Sequence, residues 1–342
     1  MGRGLLLVVI VALASTCVAG AQVIPNDPYY APYEWYGSVL GLPKAWGYSL
    51  GSTDVTVAVL DAGVMASLPD LAGRVLAPVS ATGGPTLDGT VKHHGTWVAS
   101  AAAMGVNNGI GGAGVGNFSI LPVTVTDVYG TNKSEWIAEG IRVAANHGAR
   151  VINVSYEVLY YSDLEAAAAE AREKGALVFV SSGNANTRSL LKDYEHLIFV
   201  SGTDANDNRW YDPATGKGST WGPFVDLSAP ASQIVVAESS FPSGYGRDSG
   251  TSYAAPLAAG AAALLWSIDP TLTPDEVLDI LYTTADDLGA PGWDEVYGWG
   301  RLNVGAAAER AYQLSLAPEP GTLLLAAAGL AAPLVRRLRR RL

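Results

Sequence analysis

A serine hydroxyl is a poor nucleophile at neutral pH. It needs an imidazole to take its proton, and a carboxylate to fix that imidazole's tautomer and stabilise its charged form. The chain offers one such set. Asp61 ends the apolar run Val55-Thr56-Val57-Ala58-Val59-Leu60, His94 opens His94-Gly95-Thr96-Trp97-Val98-Ala99, and Ser252 lies in Ser249-Gly250-Thr251-Ser252-Tyr253-Ala254-Ala255-Pro256. Each segment alone has an ordinary explanation: a strand-end aspartate, a surface histidine, a serine capping a helix. In the order Asp, His, Ser, with spacings of 33 and 158 residues, they predict acyl transfer with Ser252 as nucleophile, His94 as general acid–base and Asp61 orienting it.

Such a set needs elements to hold it. Strand candidates at 55–60, 120–125, 150–154, 176–181 and 197–201 alternate with helical patterns at 94–104, 134–147 and 162–174. That alternation predicts an α/β domain with a central, mainly parallel sheet and helices on both faces. Helix 162–174 carries an apolar stripe of Leu164, Ala167, Ala168 and Ala171, and Thr273-Pro274-Asp275-Glu276 reads as a capping box opening a helix to about Thr284. Asp61 then lies at a strand's C-terminal end, while His94 and Ser252 sit at helix N-termini, where crevices form in open α/β sheets. A helix N-terminus adds partial positive charge beside a developing oxyanion. Ala176–Ser182 reads as a buried parallel strand leading into the pair Gly183-Asn184.

Of the 342 residues, 49% are hydrophobic and 15% charged, the balance of a globular protein with a large core. Arg3, the run Leu5–Ala14 and Ala19-Gly20-Ala21 read as a secretory signal peptide, residues 1–21, cleaved after Ala21. The only cysteine, Cys17, falls inside it, so the mature chain has no disulfide or thiol chemistry. At the other end, Pro318-Glu319-Pro320 precedes the apolar run Thr322–Val335 and a cluster of five arginines between Arg336 and Arg341. The run is short for a membrane-spanning helix, and the arginines fit a cytoplasmic stop. Setting aside Arg3, those five arginines and Glu319 leaves 15 Lys+Arg against 31 Asp+Glu, a net of −16. Nucleic acid is excluded as a partner, since phosphate contacts need clustered cations.

The Asp61, His94 and Ser252 segments, with Gly183-Asn184, resemble the subtilase family of serine proteases. The start Asn26-Asp27-Pro28-Tyr29-Tyr30 is similar to its thermitase-like members. The resemblance implies a three-layer α/β/α fold over residues 22–315 and a serine endopeptidase that cuts protein or peptide substrates through an acyl-enzyme, with no organic cofactor. It implies an oxyanion held by the Asn184 side-chain amide and the Ser252 backbone N–H. Ser155, Tyr156 and Glu157 match its substrate-binding segment. It also implies structural Ca²⁺ held by Asp27, Asp70, the Asn108 side chain and the carbonyls of Val106, Ile110 and Gly112, six oxygens suited to a hard cation. Residues 316–342 resemble a PEP-CTERM sorting signal. That implies an exosortase-type partner, a secreted or cell-surface location in a Gram-negative bacterium, and transient contact of the C-terminal segment with the inner membrane before processing.

Four features depart from the family pattern. Trp97 stands where a second histidine is common, and Tyr253 stands where Met is common, which would crowd the leaving-group side. Ser155-Tyr156-Glu157-Val158 replaces Ser-Leu-Gly-Gly, which narrows close backbone approach; Glu157 reads as an outward-facing, solvated side chain ahead of the alternative that it attracts a basic residue before the cut. About four residues separate the signal peptide from the domain, where most subtilases carry a long pro-segment. The last two features suit an alternative, a weakly active or inactive subtilase-fold protein that binds peptides or matrix at the surface. An α/β-hydrolase esterase is excluded, since no Gly-x-Ser-x-Gly surrounds Ser252.

Overall fold

A computed structural model of the chain describes residues 20–90, 92–156, 161–238 and 244–316. Residues 1–19 of the signal segment, Glu157, Val158 and residues 317–342 of the sorting segment lie outside the described residues. The strands are β1 (Thr56–Asp61), β2 (Val79–Ser80), β3 (Ser119–Thr124), β4 (Val151–Val154), β5 (Leu177–Ser181), β6 (Leu197–Thr203), β7 (Leu227–Pro230), β8 (Ile234–Ala237) and β9 (Tyr245–Asp248). The first seven form one parallel sheet in the order β2-β3-β1-β4-β5-β6-β7, and β8 pairs antiparallel with β9.

The apolar runs explain the layering. Side chains alternate across a strand, so a strand covered on both faces must be apolar at every position. Val57 and Val59 of β1, Leu177 and Phe179 of β5, and Ile198 and Val200 of β6 enter one core. Ala58, Leu60, Val178, Val180, Leu197 and Phe199 enter the other. The first core is covered by the short helices α1 (Tyr30–Tyr33), α2 (Trp35–Val39) and α3 (Leu42–Trp46) and by α4 (His94–Ala103), α7 (Thr251–Ile268), α8 (Pro274–Thr283) and α9 (Val304–Ser315). The second is covered by α5 (Ser134–Asn146) and α6 (Tyr161–Glu173), the latter through Leu164, Ala167, Ala168 and Ala171. The predicted elements are thus present, shifted by one or two residues at their ends. The capping box at Thr273 is complete: Thr273 accepts from the Glu276 N–H, and the Glu276 carboxylate accepts from the Thr273 N–H.

Helix α7 is long and apolar enough to cross a bilayer, but 89% of it is buried within the protein. Its alanines lie against those of α4, and small side chains let the two helices approach closely. This packing fixes the start of each helix, where His94 and Ser252 stand.

Candidate active site

Five elements deliver the predicted residues to one edge of the sheet. β1, β4 and β5 are adjacent and parallel, so their C-terminal ends bring Asp61, Ser155-Tyr156 and Ser181 through Asn184 together. His94 begins α4, and Ser252 is the second residue of α7. A cleft of about 630 Å³ at this edge is lined by His94, Ser252, Asn184, Ser155, Tyr156 and Lys92, among others.

Asp61 is fully buried. Its Oδ2 accepts from His94 Nδ1 at 2.7 Å, and its Oδ1 accepts from the Ala62 N–H at 2.8 Å and the Tyr156 hydroxyl at 2.9 Å. Three donors offset the cost of removing a carboxylate from water. Burial disfavours the His94 imidazolium. The charge and hydrogen bond of Asp61, with the charge of Asp248 on β9, outweigh that penalty and raise the histidine above its ordinary value. Gly95 permits the pairing: a Cβ there would lie 2.7 Å from the Asp61 Cβ and would clash with the Gly63 carbonyl.

Ser252 Oγ lies 3.4 Å from the Ser155 carbonyl oxygen and makes no hydrogen bond to His94. The structure therefore forms the first of the two expected triad contacts and leaves the second open, as is common in unliganded sites. Ser155 braces the turn, its hydroxyl donating to the Ser252 carbonyl at 2.9 Å. Asn184 Oδ1 accepts from the Thr251 N–H at 2.9 Å and the Thr251 hydroxyl at 3.0 Å. With its oxygen committed to α7, the Asn184 amide can offer only its NH₂ to a substrate oxyanion.

The departures take on specific partners. Tyr253 does not crowd the cleft: it is buried, and its hydroxyl donates to Asp248 Oδ2 at 2.6 Å. A long phenol on α7 folds back toward β9 because Asp248 supplies the acceptor that burial of its hydroxyl requires. Trp97 turns away from the triad and donates to buried Glu238, while its ring stacks on His93 at 6.4 Å. Tyr156, expected to contact substrate, also bonds Asp61 and lays its ring against His94, centroids 5.6 Å apart.

The expected cation ligands gather in one place with altered engagements. Asp27 spends both oxygens on the loop backbone: Oδ1 accepts from the Asn108 and Gly109 N–H groups, and Oδ2 from that of Asn107. Asn108 donates its amide to Asp70 at 2.7 Å, while its oxygen accepts from the Ile110 N–H. The Val106 carbonyl accepts from the Asn117 amide at 3.3 Å. Among the described residues, no group of three or more His, Cys, Asp or Glu is arranged to hold a metal. Yet the charge balance fits a cation. The second oxygens of Asp70 and Glu34 are buried with no cationic partner, facing the Tyr245 and Tyr36 phenols. Burial, with the charge of Asp27 adding, pushes the Asp70 carboxyl up to about 6, and burial with both aspartates pushes Glu34 well above its usual range. Glu34, whose Oε1 accepts from the Ala113 N–H beside Gly112, is a member that sequence reasoning missed. Its only signal was an acidic residue in an otherwise aromatic stretch.

Comparison with known proteins agrees with this geometry. The subtilase family model matches residues 52–300, and the PEP-CTERM protein-sorting motif matches residues 316–341. Thermitase of Thermoactinomyces vulgaris is 34% identical over 284 residues, covering 82% of this chain and 97% of thermitase. The thermophilic serine proteinase of Bacillus sp. strain AK1 is 33% identical over 82% of this chain and 68% of its own length. A solved protease structure from Pseudoalteromonas arctica PAMC 21717 superposes with a TM-score of 0.73 at 29% identity, covering 84% of this chain and all of that one.

Proposed function

The chain belongs to the subtilase family and is a subtilisin-like serine endopeptidase; from that premise we propose that Asp61, His94 and Ser252 are its catalytic triad and Asn184 its oxyanion donor. The observation that carries the assignment is the 2.7 Å contact between His94 and buried Asp61, in a cleft that also holds Ser252 and Asn184.

In the proposed cycle a peptide carbonyl sits over Ser252 Oγ, and a rotation of the serine side chain brings its proton to His94 Nε2. Oγ attacks the carbonyl carbon as His94 takes that proton. The oxyanion of the tetrahedral intermediate accepts from the Asn184 NH₂ and the Ser252 N–H. The C–N bond then breaks, His94 passes the proton to the departing amine, and an ester to Ser252 remains. Water, deprotonated by His94, hydrolyses that ester, releases the acid and restores Ser252.

Peptides and proteins are the substrates. Lys92 lines the same cleft and makes no ion pair among the described residues, which favours an acidic side chain near the cut. Asp70, Asn108 and the carbonyls of Val106, Ile110 and Gly112 would hold a structural Ca²⁺, with Asp27 organising their loop. Residues 1–21 would export the chain, 22–315 would form the enzyme, and 316–342 would present an exosortase-type enzyme with its processing site. The enzyme body would then act outside the cytoplasm of a Gram-negative cell, its tail in the inner membrane until processing. A fluorophosphonate probe tests the assignment: it should label the wild type and not Ser252→Ala, and casein should be cleaved only by the wild type. Equal labelling of both proteins, or of neither, would overturn it.

A further inference from the structure

We infer that Tyr156 is a positioning residue for the Asp61–His94 pair, holding the carboxylate in the orientation that the general base requires. The inference rests on the triad assignment above. Asp61 is fully buried, and its two oxygens face different partners: Oδ2 faces His94, while Oδ1 takes the Ala62 N–H and the Tyr156 hydroxyl. The Ala62 N–H comes from the next residue of the same chain segment. The hydroxyl comes from the exit of β4, a separate element, and so ties that exit to β1 and α4. With donors on both oxygens, the carboxylate cannot turn about its Cβ–Cγ bond without losing a charge-assisted hydrogen bond.

The aromatic ring adds a second constraint. It lies beside the imidazole, tilted by 42° with centroids 5.6 Å apart, and so limits the movement of the base. Burial, reinforced by the charge of Asp61, keeps the phenol protonated, so it acts only as a donor. Donation draws charge from Oδ1 and weakens the pull of Asp61 on the His94 proton. Loss of the hydroxyl should therefore make the imidazolium more stable. Of the titratable and charged groups around His94, Asp61 and Asp248 stabilise its charged form. Tyr253 bonds Asp248, and Lys92 stands along the same cleft. The Tyr156 side chain touches both members of the pair.

The test is Tyr156→Phe, which keeps the ring and removes one oxygen. The acidic limb of kcat/KM should move to higher pH by about half a unit, with kcat/KM on the plateau falling about tenfold and KM little changed. The same shift should show in the His94 ring titration followed by NMR in the Ser252→Ala background, where no turnover is needed. A melting curve on each variant confirms that it is folded. A role in packing alone would lower the melting temperature and leave both titrations in place. A His94 titration that stays put or moves down in Tyr156→Phe overturns the inference. Loss of turnover in the wild type would instead count against the triad.

Discussion

Gly95 presents its bare Cα to Asp61, so closely that an added Cβ would stand 2.7 Å from the aspartate's own Cβ. The contact makes the glycine after His94 part of the site, because the first turn of α4 can reach β1 only without a side chain there. Gly95→Ala should cost about 1–3 kcal/mol of stability through overpacking and pull His94 from Asp61. Thermal melts should show the first effect, and slower labelling by a fluorophosphonate should show the second. Unchanged labelling would mean that the helix shifts without disturbing the pair.

The pH dependence follows from the charges around His94. A general base works as neutral imidazole, and the folded protein raises this histidine above 6.5 through Asp61 and Asp248 against the opposing effect of burial. Activity should therefore fall, as pH is lowered, through a midpoint above 6.5. Asp248→Asn removes one of the stabilising charges, so its acidic limb should lie at lower pH than that of the wild type. Superimposed profiles for the two proteins would show that Asp248 does not act on the imidazole.

How much of this was legible in the chain depends on the range of the interaction. The strands β1, β3, β4, β5 and β6 were visible because a doubly covered strand is apolar throughout, and that is a local property. The three proposed catalytic positions were visible because Asp61 ends such a strand while His94 and Ser252 open apolar helices. The hairpin β8–β9 was not, and with it went Asp248: its strands are four residues each, and β9 is only partly buried. Nor could the sequence show that Tyr156 turns to Asp61, Tyr253 to Asp248 and Trp97 to Glu238. Those choices depend on which acceptor the tertiary packing leaves within reach of a long polar side chain. Asp27 shows the same limit, since its three backbone donors exist only once the 105–112 loop has closed around it.

Asn184→Ala should leave binding intact and slow the chemistry. Its oxygen is anchored to Thr251, so the loss falls on the NH₂ donor and on the brace to α7. Removal of one oxyanion donor costs about 10²–10³ in kcat. Steady-state kinetics on a peptide amide should show that fall with KM within about threefold. A proportional rise in KM would place Asn184 in substrate binding instead.

Calcium should matter to stability more than to chemistry. The Asp27, Glu34 and Asp70 carboxylates are buried near one another and make no ion pair among the described residues. A ligand that binds only the folded state stabilises it by mass action. Chelation by EDTA should then lower the melting temperature by several degrees, and added calcium should restore it. Asp70→Asn should abolish the difference. Overlaid melts with EDTA and with calcium would remove the cation from this account.

Lys92, the one lysine or arginine lining the cleft among the described residues, should set substrate preference. Lys92 lines the cleft beside His94, and its side chain passes over Gly130, where an added Cβ would meet Lys92 Cε at 3.1 Å. Lys92, Ser252 and Asn184 line one cleft, so a peptide bound across Ser252 passes within the field of Lys92. On a chain with net charge −11, a cation placed there counters the general repulsion of acidic peptides. An exposed ion pair contributes about 0.2–1 kcal/mol, so the expected preference is modest, about fivefold at most, and weaker at high salt. Profiling a peptide library should show Asp and Glu enriched near the cut, and Lys92→Glu should reverse the enrichment to Lys and Arg. Identical profiles for the two proteins would mean that Lys92 points its charge into solvent and leaves selection to the uncharged lining of the cleft.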